Sequence, residues 1–330
     1  MVVIMALREN NRKVYIGKLQ AEVKYRNKKG NGEISIPFSN LNLSLEKTLS
    51  LWKKDYIEDW LNSNAKYLYP REVRIEEKNG IAIILFDAID PHGADVTYKN
   101  YKTLESRRNK KEQYEGINYS AHLVIKTDGN NGAYNAVFED VPYLAIGTIN
   151  HILSKMVRII CKHNKELFTI PSPTGVPDEH GKIKRVTCRL QLSFSPVPDQ
   201  RFWDLVSRPK AVLDLELVNT KLRNDEDISL DIKRQSIVFA LPSPSFFATA
   251  KDSLLRIVSF GQNRSYDLLK MTIKTDAGNS KTICFKTDTK SLNYDAFSRM
   301  ELIEGLQEKM ATAPDRINEE LVERMKELLS

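Results

Sequence analysis

The sequence predicts an α+β fold: mixed sheets with packed helices, two domains and a helical C-terminal tail. Three observations predict it. Strand candidates recur around short turns rich in Asn, Asp and Gly, at 79–80, 128–132 and 276–280, which is the local signature of antiparallel hairpins. The stretch 144–168 carries the strongest helix signal, with Ile149, Ile152, Leu153, Met156, Val157 and Ile160 on one wide apolar stripe. From 144 to 220 the pattern then runs helix, strand, helix, strand. That run places a smaller α/β domain at 144–227, inserted into a main α+β domain made of 1–143 and 228–330, with the polar stretch 223–227 as a boundary.

The totals fit a globular chain. At 330 residues it can bury a real core. Charged residues make up 28 % and apolar residues 41 %, which excludes a disordered chain. The net charge of +7 permits a phosphate-bearing partner without demanding one. Cys161, Cys188 and Cys284 are odd in number and far apart, as expected of free thiols in a reducing compartment. No apolar stretch approaches the ~20 residues that span a bilayer, and the opening MVVIMALREN lacks the order of a signal peptide. The expectation is a soluble, cytoplasmic protein.

Taken in order, 13–25 reads as a strand whose alternation slips near Gly17-Lys18, at a bulge or a hidden register. The loop 26–32 is basic and glycine-rich. A helix is expected over 45–61, capped by Ser44, with Leu45, Leu49, Trp52, Tyr56 and Trp60 inside. The strands 72–77 and 81–86 flank Asn79-Gly80 as a type I′ hairpin. The segment 99–111 holds six basic residues against Glu105 and reads as a surface loop. Hairpins follow at 119–138 and 271–286. The central helix is capped by Thr148, and its outer ridge carries His151, Lys155, Arg158 and Lys162. That ridge is either the solvated back of a core helix or a cationic surface for a polyanion. Val186 to Phe194 alternate as a half-buried strand, and so do Leu213, Leu215 and Leu217 with Asp214 and Glu216, which could pair with Arg189. A helix over 245–260 ends on Gly261, and two acidic helices start from Tyr294 and Asp315.

Catalytic signatures are missing. There is no P-loop, GxGxxG, GxSxG or HExxH, and no cofactor is implied. Asp87, Asp90 and Asp95, with His92 between them, could hold a hydrolytic metal or could simply serve a strand-end loop.

Three passages carry a resemblance. Ala121 to Ile125, then Ala136 to Phe138, then the 149–160 helix; the unit from Phe168 to Val218; and the tail from Tyr294 are together similar in order to the RexA family of lambda-type phage-exclusion proteins and to related bacterial phage-defence families. The resemblance covers 70–330 and is one of pattern, without a short motif. It implies a two-domain α/β homodimer that grips double-stranded DNA with little sequence preference, triggers a separate membrane-acting effector, and swivels its middle unit. The residues expected to neutralise phosphates, read from charge alone, are Lys155, Arg158 and Lys162 on the helix, Arg107, Arg108, Lys110 and Lys111 on the loop, and Arg185 and Arg189 on the strand. The alternatives are a metal-dependent nuclease at Asp87, Asp90 and Asp95, and a protein-interaction module acting through the acidic tail.

Overall fold

The structure, a computed structural model, describes residues 10–26, 33–56, 67–173, 175, 181, 183–197, 199–208, 211–219, 235–239, 250–274, 280–287 and 298–329. It is mixed α/β with mostly antiparallel sheets. The chain divides into two compact units, Met1–Phe194 with Glu301–Ser330, and Ser195–Met300. The inserted part therefore falls at 195–300, where the sequence suggested 144–227.

The first unit contains, in order, β1 (Arg12–Arg26), β2 (Glu33–Ile36), α1 (Leu45–Ser50), β3 (Tyr67–Glu76), β4 (Ile81–Asp90), β5 (Val96–Lys99), β6 (Ser106–Asn109), β7 (Ile117–Lys126), β8 (Ala133–Glu139), α2 (Ile146–His163), β9 (Thr169–Pro171), β10 (Arg185–Thr187) and β11 (Arg189–Pro196). The second unit holds α3 (Gln200–Val206), β12 (Val212–Asn219), β13 (Gln235–Phe239), α4 (Ala250–Asn263), β14 (Leu268–Lys274) and β15 (Ser280–Lys286). Then β16 (Met300–Ile303) and α5 (Glu319–Glu327) return to the first.

The first unit is built on an eight-stranded sheet ordered β11-β1-β8-β7-β4-β3, with β2 and β16 also on β1. Its two faces are buried differently. Ala82, Ile84 and Phe86 of β4, Leu123 and Ile125 of β7, and Phe138 of β8 point to one face and join the core under α2. Ile83, Leu85, Val124 and Val137 point to the other and are fully buried, with Leu321, Val322 and Met325 of α5 buried as well. This double burial is why 81–86 is an unbroken apolar run in place of an alternating one. It also resolves the slip in β1. Register with β8 runs without a break from Val14↔Glu139 to Gln20↔Ala133. Val14 and Ile16 face one side, Leu19, Ala21, Val23 and Tyr25 the other, and all are buried.

Several local expectations change. α1 keeps its Ser44 cap, whose Oγ accepts from the Lys47 amide at 3.1 Å, but it stops at Ser50. There Ser50 Oγ donates to Lys47 O at 2.9 Å and competes with the helix. Trp60 lies outside the described residues. The β3–β4 hairpin turns through Glu77–Asn79 in a 3₁₀ turn, and only Gly80 takes positive φ, at 61°. That makes a four-residue loop, not a type I′ turn. α2 begins at Ile146 behind Ala145, so Thr148 is inside the helix and no side chain caps it.

The second unit is a four-stranded antiparallel sheet, β13-β12-β14-β15. Its core joins Phe202, Val206, Leu215, Leu217, Leu254, Val258, Leu269 and Met271. A bulge between Val212 and Asp214 turns Leu213 outward. Glu216 lies opposite Lys270 and Val238, so the cross-strand pair expected with Arg189, which is on a different sheet, is not formed. Gly261 is a helical residue, not a cap: a Cβ there would stand 2.6 Å from Leu217 Cδ2, so glycine permits the close approach of α4 to the sheet. In the tail, 300–303 is a strand, where a helix from Tyr294 was expected, and α5 starts at Glu319 behind the cap Asn318. The start of the expected 245–260 helix, the 223–227 boundary and the N-terminal MVVIMALRE fall outside the described residues.

Candidate nucleic-acid interface

α2 sets the geometry of a cationic hollow in the first unit. Its stripe, Ile149, Ile152, Leu153, Met156, Val157 and Ile160, is fully buried, and this fixes which side chains remain outside. Asn150 and Ser154 tie the helix to β11: Asn150 Nδ2 donates to Phe194 O (2.9 Å), its Oδ1 accepts from Phe194 N–H (2.6 Å), and Ser154 Oγ donates to Leu192 O (3.2 Å). With β11 held alongside, Arg158, Lys162 and Lys165 of the helix and its following turn line one cleft with Arg189 of β11 and Lys24 of β1. The cleft measures about 710 Å³. No Asp or Glu is among its described lining residues. Lys24 is partly neutralised, because its Nζ lies 3.3 Å from Glu22 and donates to Gln191 Oε1 at 3.0 Å. The floor carries two free thiols, Cys161 and Cys188. Burial pushes Cys161 up to about 11, so it stays a neutral thiol that adds no negative charge to the cleft.

The structure thus brings Arg158, Lys162 and Arg189 together. Lys155 is half-buried, further back on the helix, and outside the cleft. Arg185 also lies outside the cleft lining; its Nη2 donates to Thr169 O at 2.6 Å, fastening β10 to β9. The remaining four candidates sit elsewhere. What reads as a loop at 99–111 is a hairpin, β5–β6. It leaves the sheet where Asp90 pairs with Ile117, at the end where β1 begins. Lys24 lies ten residues beyond Val14, about 30 Å along an extended strand. The two basic groups therefore do not form one continuous surface. Within the hairpin, Arg108 Nε is paired with Asp95 Oδ2 (2.8 Å) and Lys111 Nζ donates to Pro91 O and Gly93 O. Arg107 lies 5.3 Å over the Tyr98 ring, and Lys110 is exposed.

The three carboxylates do not converge. Asp87 is buried on β4 and accepts from Ser120 Oγ (2.6 Å), Tyr69 OH (3.2 Å) and Arg71 Nη1 (3.4 Å). Asp90 accepts from the His92 amide at 3.0 Å. Asp95 takes the Lys111 amide and Arg108, which hold its carboxyl below the usual range. Among the described residues no group of three His, Cys, Asp or Glu could hold a metal ion.

Sequence reasoning missed Lys24, Lys165 and a buried polar chain. Lys165 continues the helical ridge three residues past Lys162, so extending the stripe beyond His163 finds it. The buried chain runs from Arg12 Nε to Glu139 Oε1 (2.9 Å), from Glu139 Oε2 to His122 Nδ1 (2.7 Å), and from His122 Nε2 to the Asn318 amide (3.1 Å). Because Nε2 accepts, the hydrogen donated to Glu139 is on Nδ1. His122 and Glu139 are polar breaks in apolar strands, which is the signal that marks them.

No protein-family model, curated protein or solved structure matches this chain.

Proposed function

We propose that the protein binds double-stranded DNA through its phosphates, with little regard for sequence, and serves as a sensor in phage defence that signals to a separate effector. One observation carries the DNA-binding part: Arg158, Lys162, Lys165 and Arg189 line one cleft that has no carboxylate among its described lining residues. Crowded cations repel one another, and a polyanion relieves that repulsion while releasing its own counterions. The defence role, the homodimer and the membrane-acting effector rest on the resemblance to the phage-exclusion family. In the same reading the inserted unit is the second of two domains and α5 the helical tail. No helix among the described residues is long and apolar enough to cross a membrane, which suits a separate effector for any step at the bilayer.

The metal-dependent nuclease has no comparable support, since Asp87, Asp90 and Asp95 each serve different partners. Binding to a mixed-sequence duplex, titrated with salt, tests the proposal. Each phosphate neutralised contributes about −0.9 to the slope of log K against log salt, so three or more contacts give a slope steeper than about −2.7. Arg158→Glu with Lys162→Glu should flatten that slope and weaken binding to all sequences alike. A slope near zero for the unaltered protein removes the proposal.

A further inference from the structure

The β5–β6 hairpin is bare along its length and secured at both ends. Its strands pair with each other in a sheet of two, and all eight strand residues are exposed. An isolated ribbon of this size is marginal in water, yet here the tip is stitched. Asn100 Oδ1 accepts from the amides of Lys102 (2.9 Å) and Thr103 (3.2 Å), and Leu104 N–H donates to Asn100 O at 2.8 Å. The base is stitched too. Lys111 Nζ reaches Pro91 O and Gly93 O, and Asp95 takes both the Lys111 amide and Arg108. Register places Tyr98 opposite Arg107, Val96 opposite Asn109, Thr97 opposite Arg108 and Lys99 opposite Ser106. By alternation one face carries Val96, Tyr98, Arg107 and Asn109, and the other Thr97, Lys99, Ser106 and Arg108. The result is a fixed cationic arm with two uncovered faces.

We propose that this ribbon enters the major groove of double-stranded DNA with its Tyr98–Arg107–Asn109 face toward the base edges, an inference that rests on the duplex-binding reading above. The charge fits the partner: besides Arg108, paired with Asp95, and Lys111, bound to loop carbonyls, 96–111 holds Lys99, Lys102, Arg107 and Lys110 against Glu105. The shape fits it as well. A major groove about 12 Å wide admits a two-stranded ribbon, while a minor groove about 6 Å wide does not. Arginine and asparagine are side chains that bond base edges, and the Tyr98 ring offers apolar contact for a thymine methyl, so the ribbon adds a local base preference to a binding otherwise carried by phosphates. Lys102 at the tip and Lys110 at the base reach toward the phosphates on either side.

The test compares the full chain with Arg107→Ala/Asn109→Ala, and with the charge-keeping Arg107→Lys, on a B-form DNA duplex and an RNA duplex of matching sequence at fixed salt. A-form RNA has a major groove too deep and narrow for side chains to read. The double variant should bind DNA at least tenfold more weakly and RNA within twofold of the unaltered chain. Arg107→Lys should show a smaller loss, again on DNA alone. If the chain binds no RNA duplex, DNA methylated at guanine N7 replaces it, and there the variant's deficit should vanish. Equal losses on DNA and RNA, or on methylated and plain DNA, reduce the ribbon to a phosphate contact and overturn groove entry while duplex binding stands. Full DNA affinity in the double variant, with binding lost in Arg158→Glu/Lys162→Glu, also overturns it. A change in oligomeric state of the double variant without DNA assigns the ribbon to contact between copies and overturns it. Absence of salt-sensitive duplex binding by the unaltered chain sinks the function itself.

Discussion

Glu139 has 2 % of its side chain exposed and stands between Arg12, 8 % exposed, and His122, fully buried. A buried ion pair contributes little over an apolar substitute, but removing one partner strands the other charge. Arg12 has further acceptors in the carbonyls of Met310 and Ala311, at 3.2 and 3.3 Å, and these do not neutralise it. Glu139→Ala should therefore cost about 3–5 kcal/mol of unfolding free energy. Glu139→Gln, which keeps an acceptor for the Arg12 guanidinium, should cost less. Denaturant unfolding of both variants checks this, and a loss under ~1 kcal/mol for the alanine would show that Arg12 finds water instead. The same scale explains what sequence could and could not show of the site. Arg158, Lys162 and Arg189 were legible because helical and strand periods place them outward. Arg185, Arg108 and Lys111 look identical in sequence, yet their hydrogen-bond donors are engaged by Thr169 O, Asp95, and the carbonyls of Pro91 and Gly93. No periodicity reveals a partner that the fold brings back from 13 to 20 residues away.

α5 is bound to the sheet from outside as well as from its apolar stripe. Arg74 donates to both oxygens of Glu319, at 2.6 and 2.8 Å, and Lys326 Nζ lies 2.6 Å from Glu76. The Arg74 hydrogen bonds hold the Glu319 carboxyl below its usual range. A depressed carboxyl stabilises the fold above its unfolded pKa, and that contribution fades as pH falls through the folded one. Glu319 is largely exposed, so the pair contributes only about 0.2–1 kcal/mol. Glu319→Gln should be less stable than the unaltered chain by that amount at pH 7, and the gap should close as pH drops below about 4.5. Parallel thermal melts from pH 7 downward measure it; a gap that does not narrow as pH falls argues that shape, not charge, is what the glutamine lost. Element by element, the strands were the most readable: β4, β7, β8 and β14 fall where alternation or turn residues put them, whereas the single strand expected over 186–194 is two, β10 in a small sheet with β9 and β11 in the large one. Helix limits were not. Trp52 and Tyr56 continue the spacing of α1 after the helix has ended at Ser50, because apolar residues on a 3.6 period mark a buried face whether or not the backbone stays helical. The strand at 300–303 was hidden because a short segment at the edge of β1 needs no alternation of its own.

Among the described residues each unit buries its own apolar side chains: the first on both faces of the large sheet, under α2 and beside α5, the second among α3, α4, β12 and β14. Independent cores melt independently unless coupled. Calorimetry should therefore resolve two transitions, and Leu217→Ala, which opens a cavity in the second core, should lower one and leave the other in place; a single transition shifted as a unit would show strong coupling. The inserted position of the smaller unit was missed because α2 and β11, which belong to the large sheet, are followed without a break by α3 and β12, which do not. That order has a consequence for synthesis. The strands β1, β4, β7 and β8 leave the ribosome early, but β16, the 310–318 segment that receives Arg12 and His122, and α5 follow only after the smaller unit has been translated. At roughly 5–20 residues per second that interval lasts several seconds. Throughout it one side of the sheet, Ile83, Leu85, Val124 and Val137 with a buried carboxylate among them, stands open on the nascent chain. The first part made is the last part finished.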